Sequence, residues 1–322
     1  MNSLSYSLLR PAADEALQSA RYSPKRLVLL HTGVTLAVGL VISILTYVLD
    51  MGIAQTGGLS GIGNRTMLQS LQAFLSIAST ILLPFWEIGY IFTVLQFARR
   101  RHPDTNSLLN GLRHWGVVLR TLVLKVLVLL LVMFVGTQII MYIYLMTPAA
   151  APLQQMYLEM MDSGADPMAL VESEEYMALM MDAVPFALIG VAILMLPVLY
   201  FLRFADYVVM DQPELGARYA LASSFRMTRR HFKDVFKLDL HFWWYYLLEL
   251  LVAVVSYGHL LLELAGIDIG MGGDTAMFVF YILSLAGQLA LYVWMKNRVY
   301  TTYALAYDVI YLPAKPLQKE DM

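Results

Sequence analysis

Apolar residues gather in six long runs along this chain, at about 27–49, 67–98, 117–146, 185–209, 240–264 and 276–297. Short polar segments separate them. A bilayer core about 30 Å thick takes roughly 20 helical residues, so each run is long enough for one transmembrane helix. The runs do not alternate with a period of two, which argues against the strands of a membrane β-barrel. Within lipid, only a helix satisfies the backbone of such a segment by itself. The pattern predicts an all-α fold, a polytopic helical membrane protein with six transmembrane helices and cytoplasmic amphipathic interface helices. Residues 1–322 are expected to form a single membrane domain.

The polar segments add detail. Residues 1–26 form a short amphipathic cytoplasmic segment without the apolar core and cleavage site of a signal peptide. Residues 50–64 are Gly-rich and predict an external turn. In 106–120, Leu108, Leu109, Leu112 and Trp115 share a helical stripe, while Arg113 and Arg120 can reach headgroups. That predicts a helix lying on the inner surface. The segment 147–184 predicts two amphipathic pieces parted by DSGADP at 162–167. Asp211 followed by Pro213 and Glu214 predicts a capped helix over 212–232. Residues 313–322 form a polar cytoplasmic tail. Pro84 and Pro197 predict kinks in spans two and four and open two loosely similar span–helix–span stretches.

Charge gives the orientation. Arg10, Arg21, Lys25 and Arg26 precede span one, Arg99 to Arg101 follow span two, and Arg218 to Lys237 follow span four. In the alternate loops only Arg65 is basic, and 147–184 is acidic, with no Lys or Arg. This asymmetry predicts cytoplasmic N- and C-termini in a bacterial cytoplasmic (inner) membrane, with the basic face drawn to anionic headgroups. The chain is 59% hydrophobic and only 14% charged, against about a quarter charged in a soluble domain. No motif for nucleic acid is present.

Few residues suggest chemistry. Glu87 lies 11 residues from the inner end of span two, so about 16 Å deep, and Glu249 lies at similar depth in span five. Ionised groups there are costly and usually meet a partner or a wet cavity. Lys125 in span three and Arg203 in span four are the available cations, and Glu87 is expected to pair with Lys125. The set reads either as a relay or solute site, or as ion pairs that fix helix packing. Arg203 and Asp206 are spaced to pair on one helix face, and Asp239 can meet the basic helix that carries Arg226, Arg229 and Arg230. These read as a cytoplasmic docking or gating site, or as a satisfied interface network. The external methionines invite a copper reading, but they form no regular array and have no nearby His. There is no cysteine, the six histidines are scattered, and no catalytic or cofactor motif occurs. No metal, cofactor or enzymatic activity is expected.

The stretch FADYVVMDQPELGARYALASSFRMTRRHFKDVFKLDLHFWW, 204–244, resembles the signature of a bacterial integral membrane family catalogued as domain of unknown function 975 (DUF975). The pattern falls on Asp206, Pro213, Ala220, Leu221, Ser224, Met227, Arg230, Phe236, Asp239, Phe242 and Trp244. A second match is LLPFWEIGYIFTVLQFARR, 82–100. His241 stands where the pattern has Ser, and Arg229-Arg230-His231 replaces a Gly-Asn-Lys type turn. The resemblance implies a helical membrane protein and no established reaction. The expected function is a non-enzymatic membrane component that binds lipid, a membrane protein partner or a second copy of itself. The alternative is a small-solute or ion-coupled transporter using the buried charges. An enzyme would need a substrate-sized cleft at a polar cluster such as Asp206 with Asp239.

Overall fold

A computed structural model describes residues 6–55, 62–163, 174–264 and 273–311, and every regular element among them is helical. The tail 313–322, residues 56–61 of the turn 50–64, and 164–173 of the acidic segment lie outside the described residues. Two compact units form, Met1–Arg120 with Phe204–Met322, and Thr121–Arg203. Five stretches are long and apolar enough to cross a membrane: Pro24–Ile53, Arg65–Ala98, Trp115–Leu145, Tyr176–Asp211 and Thr275–Tyr311.

In chain order the first helices are α1 (Tyr6–Gln18), α2 (Pro24–Gln55), α3 (Ile62–Ala98), α4 (Asn110–Arg113) and α5 (Trp115–Leu145), the last of which runs into the second unit. α6 (Ala151–Ser163) and α7 (Glu174–Leu202) follow. Within the second unit, Gly136 on α5 faces Leu194 and Gly190 on α7 faces Ile140, so small residues let these helices approach closely. Tyr144, Ala150 and Ala183 are buried beside that contact.

The chain then builds α8 (Ala205–Asp211), α9 (Gly216–Arg230), α10 (Phe232–His241), α11 (Trp243–Ser256), α12 (Gly258–Leu264), α13 (Gly273–Leu291) and α14 (Asn297–Tyr311). A π-helical turn, Tyr292–Lys296, joins α13 to α14. The expected fifth span, 240–264, is not one straight helix. α10 and α11 meet at a 60° bend, and a further break at Tyr257 precedes α12. Counting the bent pair as one span gives up to six.

Two other expectations change. The inner-surface helix over 106–120 does not form as one element. Asp104 caps a 3-10 turn, Thr105–Leu109, by accepting from the Ser107 amide and hydroxyl. Burial works against the Asp104 charge, but these bonds and one from Asn106 outweigh it and hold its pKa below the ordinary value. The turn leads into α4, the chain breaks at His114, and α5 begins. Gly89 and Gly111 explain the fold-back. The Leu108 carbonyl lies where a side chain on Gly89 would stand, and the Phe85 carbonyl where one on Gly111 would stand. Leu108 is therefore buried against α3, while Leu109, Leu112 and Trp115 stay exposed. Nor does Asp211 cap a helix over 212–232. It ends α8, a 3-10 turn over Pro213–Leu215 intervenes, and Gly216 at φ 78° opens α9 with no side-chain cap.

Burial along the long helices of the first unit changes abruptly. From Arg65 to Pro84 no α3 residue is buried, whereas Phe85, Ile88, Tyr90, Ile91, Val94 and Leu95 are. α2 shows the switch after Thr32, and the last hairpin shows it at Leu291. Exposed apolar helix lies on one side of these levels. On the other lies a packed layer of α1, the second half of α3, α8, α9 and α14.

Candidate functional site

At the level of the switch sits a buried charge cluster. Lys296, presented by the π-helical turn, donates from Nζ to Glu87 Oε2 at 3.1 Å. Its ammonium also lies over three tyrosine rings: Tyr90 at 4.7 Å, Tyr292 at 4.8 Å and Tyr300 at 5.3 Å. This is a cation cage with one carboxylate wall. His31, 2% exposed, places Nε2 3.2 Å from the same Glu87 oxygen and stacks on Trp86. Glu87 Oε1 is enclosed with no hydrogen-bond partner among the described residues. The cation of Glu87 is thus Lys296, at the end of the sixth apolar run. Lys125, its expected partner, lies on α5 in the second unit. Glu87 also sits three residues beyond Pro84, where packing begins, and not midway along exposed apolar helix.

The π-helical turn connects this cluster to Glu249. Tyr292, one wall of the cage, donates its hydroxyl to Glu249 Oε1 at 3.1 Å and accepts from Gln288. Glu249, Tyr292, Lys296, Glu87 and His31 therefore form a polar track across α11, the π turn, α3 and α2.

A second node lies at the end of α3. Arg99 grips Asp308 with Nε (3.2 Å to Oδ2) and Nη2 (2.7 Å to Oδ1), and its Nη1 pairs with Asp211. Burial opposes the Arg99 charge, but the two carboxylates more than offset it and hold its pKa above the ordinary value. Tyr307 donates to Asp211 at 3.2 Å, and Tyr311 donates to Gln212 at 2.7 Å. Arg298 makes a two-pronged pair with Asp14, fastening α1 to α14. Because lysine cannot reproduce the fork, Arg99→Lys is expected to destabilise by about 2–3 kcal/mol in thermal unfolding.

The remaining residues singled out in the sequence fall as follows. Arg203 places its guanidinium 5.0 Å from the Tyr200 ring. It does not share a helix with Asp206, because the chain breaks between Leu202 and Ala205. Asp239 accepts from the Tyr303 hydroxyl, which also meets Tyr246 at 2.8 Å. Arg226, Arg229 and Arg230 are exposed on α9. An open cleft of about 430 Å3 is lined by Tyr219, Ser223, Arg226, Met227, Arg230, His231, Ile310 and Tyr311. Among the described residues no group of three or more His, Asp or Glu side chains is placed to hold a metal ion.

Sequence reasoning missed Lys296, Arg99 and the tyrosines. Tyr300, Tyr303, Tyr307 and Tyr311 recur at helical spacing and were the available signal.

A family model described as a protein of unknown function (DUF975) matches residues 10–307. No curated protein and no solved structure matches the chain.

Proposed function

The chain belongs to the DUF975 family, whose function is unknown, and on that premise we propose a non-enzymatic component of the bacterial inner membrane that docks lipid or a protein partner through the basic helix α9. In this reading the packed layer and both termini are cytoplasmic, as the basic residues favour. The 20 residues Arg65–Pro84, about 30 Å of exposed apolar helix, fit one bilayer core and leave Glu87 at its inner edge.

One observation carries the proposal, the division of the charges into two sets. One set, buried or partly buried, is engaged with itself, Lys296 with Glu87, Arg99 with Asp211 and Asp308, Arg298 with Asp14. α9 instead exposes Arg218, Arg226, Arg229 and Arg230 and carries no acidic residue. Buried, paired charges fix packing, and an exposed set of one sign attracts a partner.

A second reading, ion-coupled transport, is favoured by the polar track from Glu249 to His31. The two are separated by native mass spectrometry of gently extracted protein, followed by flux measurements in liposomes. A stoichiometric bound component, lost in an R226E–R229E–R230E variant, is expected. A bare protein that carries protons or solute, and stops doing so as E249Q, would overturn the docking reading.

A further inference from the structure

Resting on that reading of α9, we propose that the cleft beside it is a binding site for the phosphate of an acidic membrane lipid. Arg226 and Arg230 stand one helical turn apart along the cleft, with Tyr219 two turns before Arg226 on the same helix, His231 at the end of α9, and Tyr311 supplied by α14. Arg226 Nε donates to the Ala222 carbonyl at 3.3 Å, which steadies the guanidinium and leaves its other N–H groups for a ligand. Arg230 has no partner among the described residues. Among the described residues no carboxylate lines the cleft itself, although Asp234 Oδ2 lies 3.9 Å from His231 Nδ1 and the charges of Asp211 and Glu214 act on Tyr311. Tyr219 and Tyr311 place their hydroxyls 3.3 Å apart, and because Tyr311 donates to Gln212, Tyr219 donates to Tyr311 and its proton is engaged. Two guanidinium groups suit a phosphate monoanion, which takes forked charge-assisted bonds. The volume, about 430 Å3, accommodates a phosphate with its glycerol.

The adjoining helix indicates a lipid as the source of that phosphate. On α10 and its junction with α11, Phe232, Phe236, Leu240 and Trp243 are all exposed and follow one another at helical spacing. The rings of Phe232 and Phe236 stack at 6.0 Å. Lys233 and Lys237, also exposed, flank them. The opposite face, Val235 and Leu238, is buried in the packed layer. A helix with one packed face and one exposed apolar face edged by lysine suits the headgroup boundary. α11, which follows at the 60° bend, is apolar and continues into the span. The cleft therefore opens at the height where lipid phosphates lie.

The full chain is reconstituted in nanodiscs of phosphatidylcholine with or without phosphatidylglycerol, released into a neutral surfactant, and retained lipid is measured by native mass spectrometry. One tightly held phosphatidylglycerol is expected. R226Q–R230Q should lose at least about tenfold more affinity than R218Q–R229Q, which removes the same charge from the same helix outside the cleft. Equal losses would show diffuse attraction and overturn the cleft, while the charge-reversed triple variant still tests docking on its own. Full displacement of the lipid by excess glycerol 3-phosphate would assign the cleft to a soluble phosphate and overturn the lipid assignment. Unchanged thermal unfolding in both double variants confirms that binding, not folding, is being read.

Discussion

Lys296→Met should lower the stability of this protein by about 2–3 kcal/mol, below the cost of breaking a fully buried ion pair because the Glu87 side chain is 35% exposed. The ammonium is 4% exposed, held by Glu87 and by three tyrosine rings. Methionine fills most of the volume but leaves the Glu87 carboxylate facing His31 alone. Removing the second charge restores balance, so K296M–E87Q is expected to recover most of the loss. The measurement is unfolding in a mild surfactant across the four members of the cycle. The additivity of the two substitutions is decisive, because groups that act on each other depart from it by 0.5–3 kcal/mol or so. A K296M protein of wild-type stability would remove the structural role of the pair and would strengthen the transport reading.

Gly89→Ala and Gly111→Ala are expected to be the most damaging small substitutions in the chain. At each, the added carbon would overlap a backbone carbonyl, of Leu108 or of Phe85, and backbone cannot rotate aside as a flexible side chain can. The cost of such overpacking begins at about 1–3 kcal/mol and rises where backbone must move, so failure to accumulate is the expected outcome. Gly39 and Gly116 have open space around the same position. There alanine should be neutral or stabilising by up to about 1 kcal/mol, since it is the better helix former. Normal accumulation of G89A would mean that the 108–111 turn does not press on α3 in the folded protein.

What sequence reasoning recovered follows from what the residues encode locally. Apolar run length locates helices wherever a run is uninterrupted, as in α2, α3 and α5. It does not show the interruptions within 240–264, where the chain bends at Phe242, whose ring lies against Tyr303, and breaks at Tyr257 beside Gly258, which packs closely on Phe280. Hydropathy also does not distinguish lipid-facing helix from packed helix. Residues 85–98 are apolar like the stretch before them, yet they form protein core. That is why Glu87 read as a mid-span charge. Its carboxylate drew notice because an acid in an apolar run is rare. Its cation did not, because Lys296 adjoins Arg298 in what reads as an ordinary basic flank. The π-helical turn that swings Lys296 inward leaves no mark in the periodicity of five residues. Likewise Asp211 had the surroundings of a helix cap, but a bifurcating Arg99, 112 positions earlier, was the stronger claimant.

The pairing of α1 with α14 has a consequence for synthesis. Asp14 and Arg298 are 284 positions apart, and the packed layer has no complete wall until both have been made. Until α14 leaves the ribosome, α1 and the inner half of α3 must wait with apolar faces uncovered, a long delay for contacts so distant in sequence. A chain stopped before Asn297 would retain most of its apolar helices and still be unable to close. Such a product should insert and then be degraded, which makes the last helix the checkpoint at which this protein becomes resistant to proteolysis.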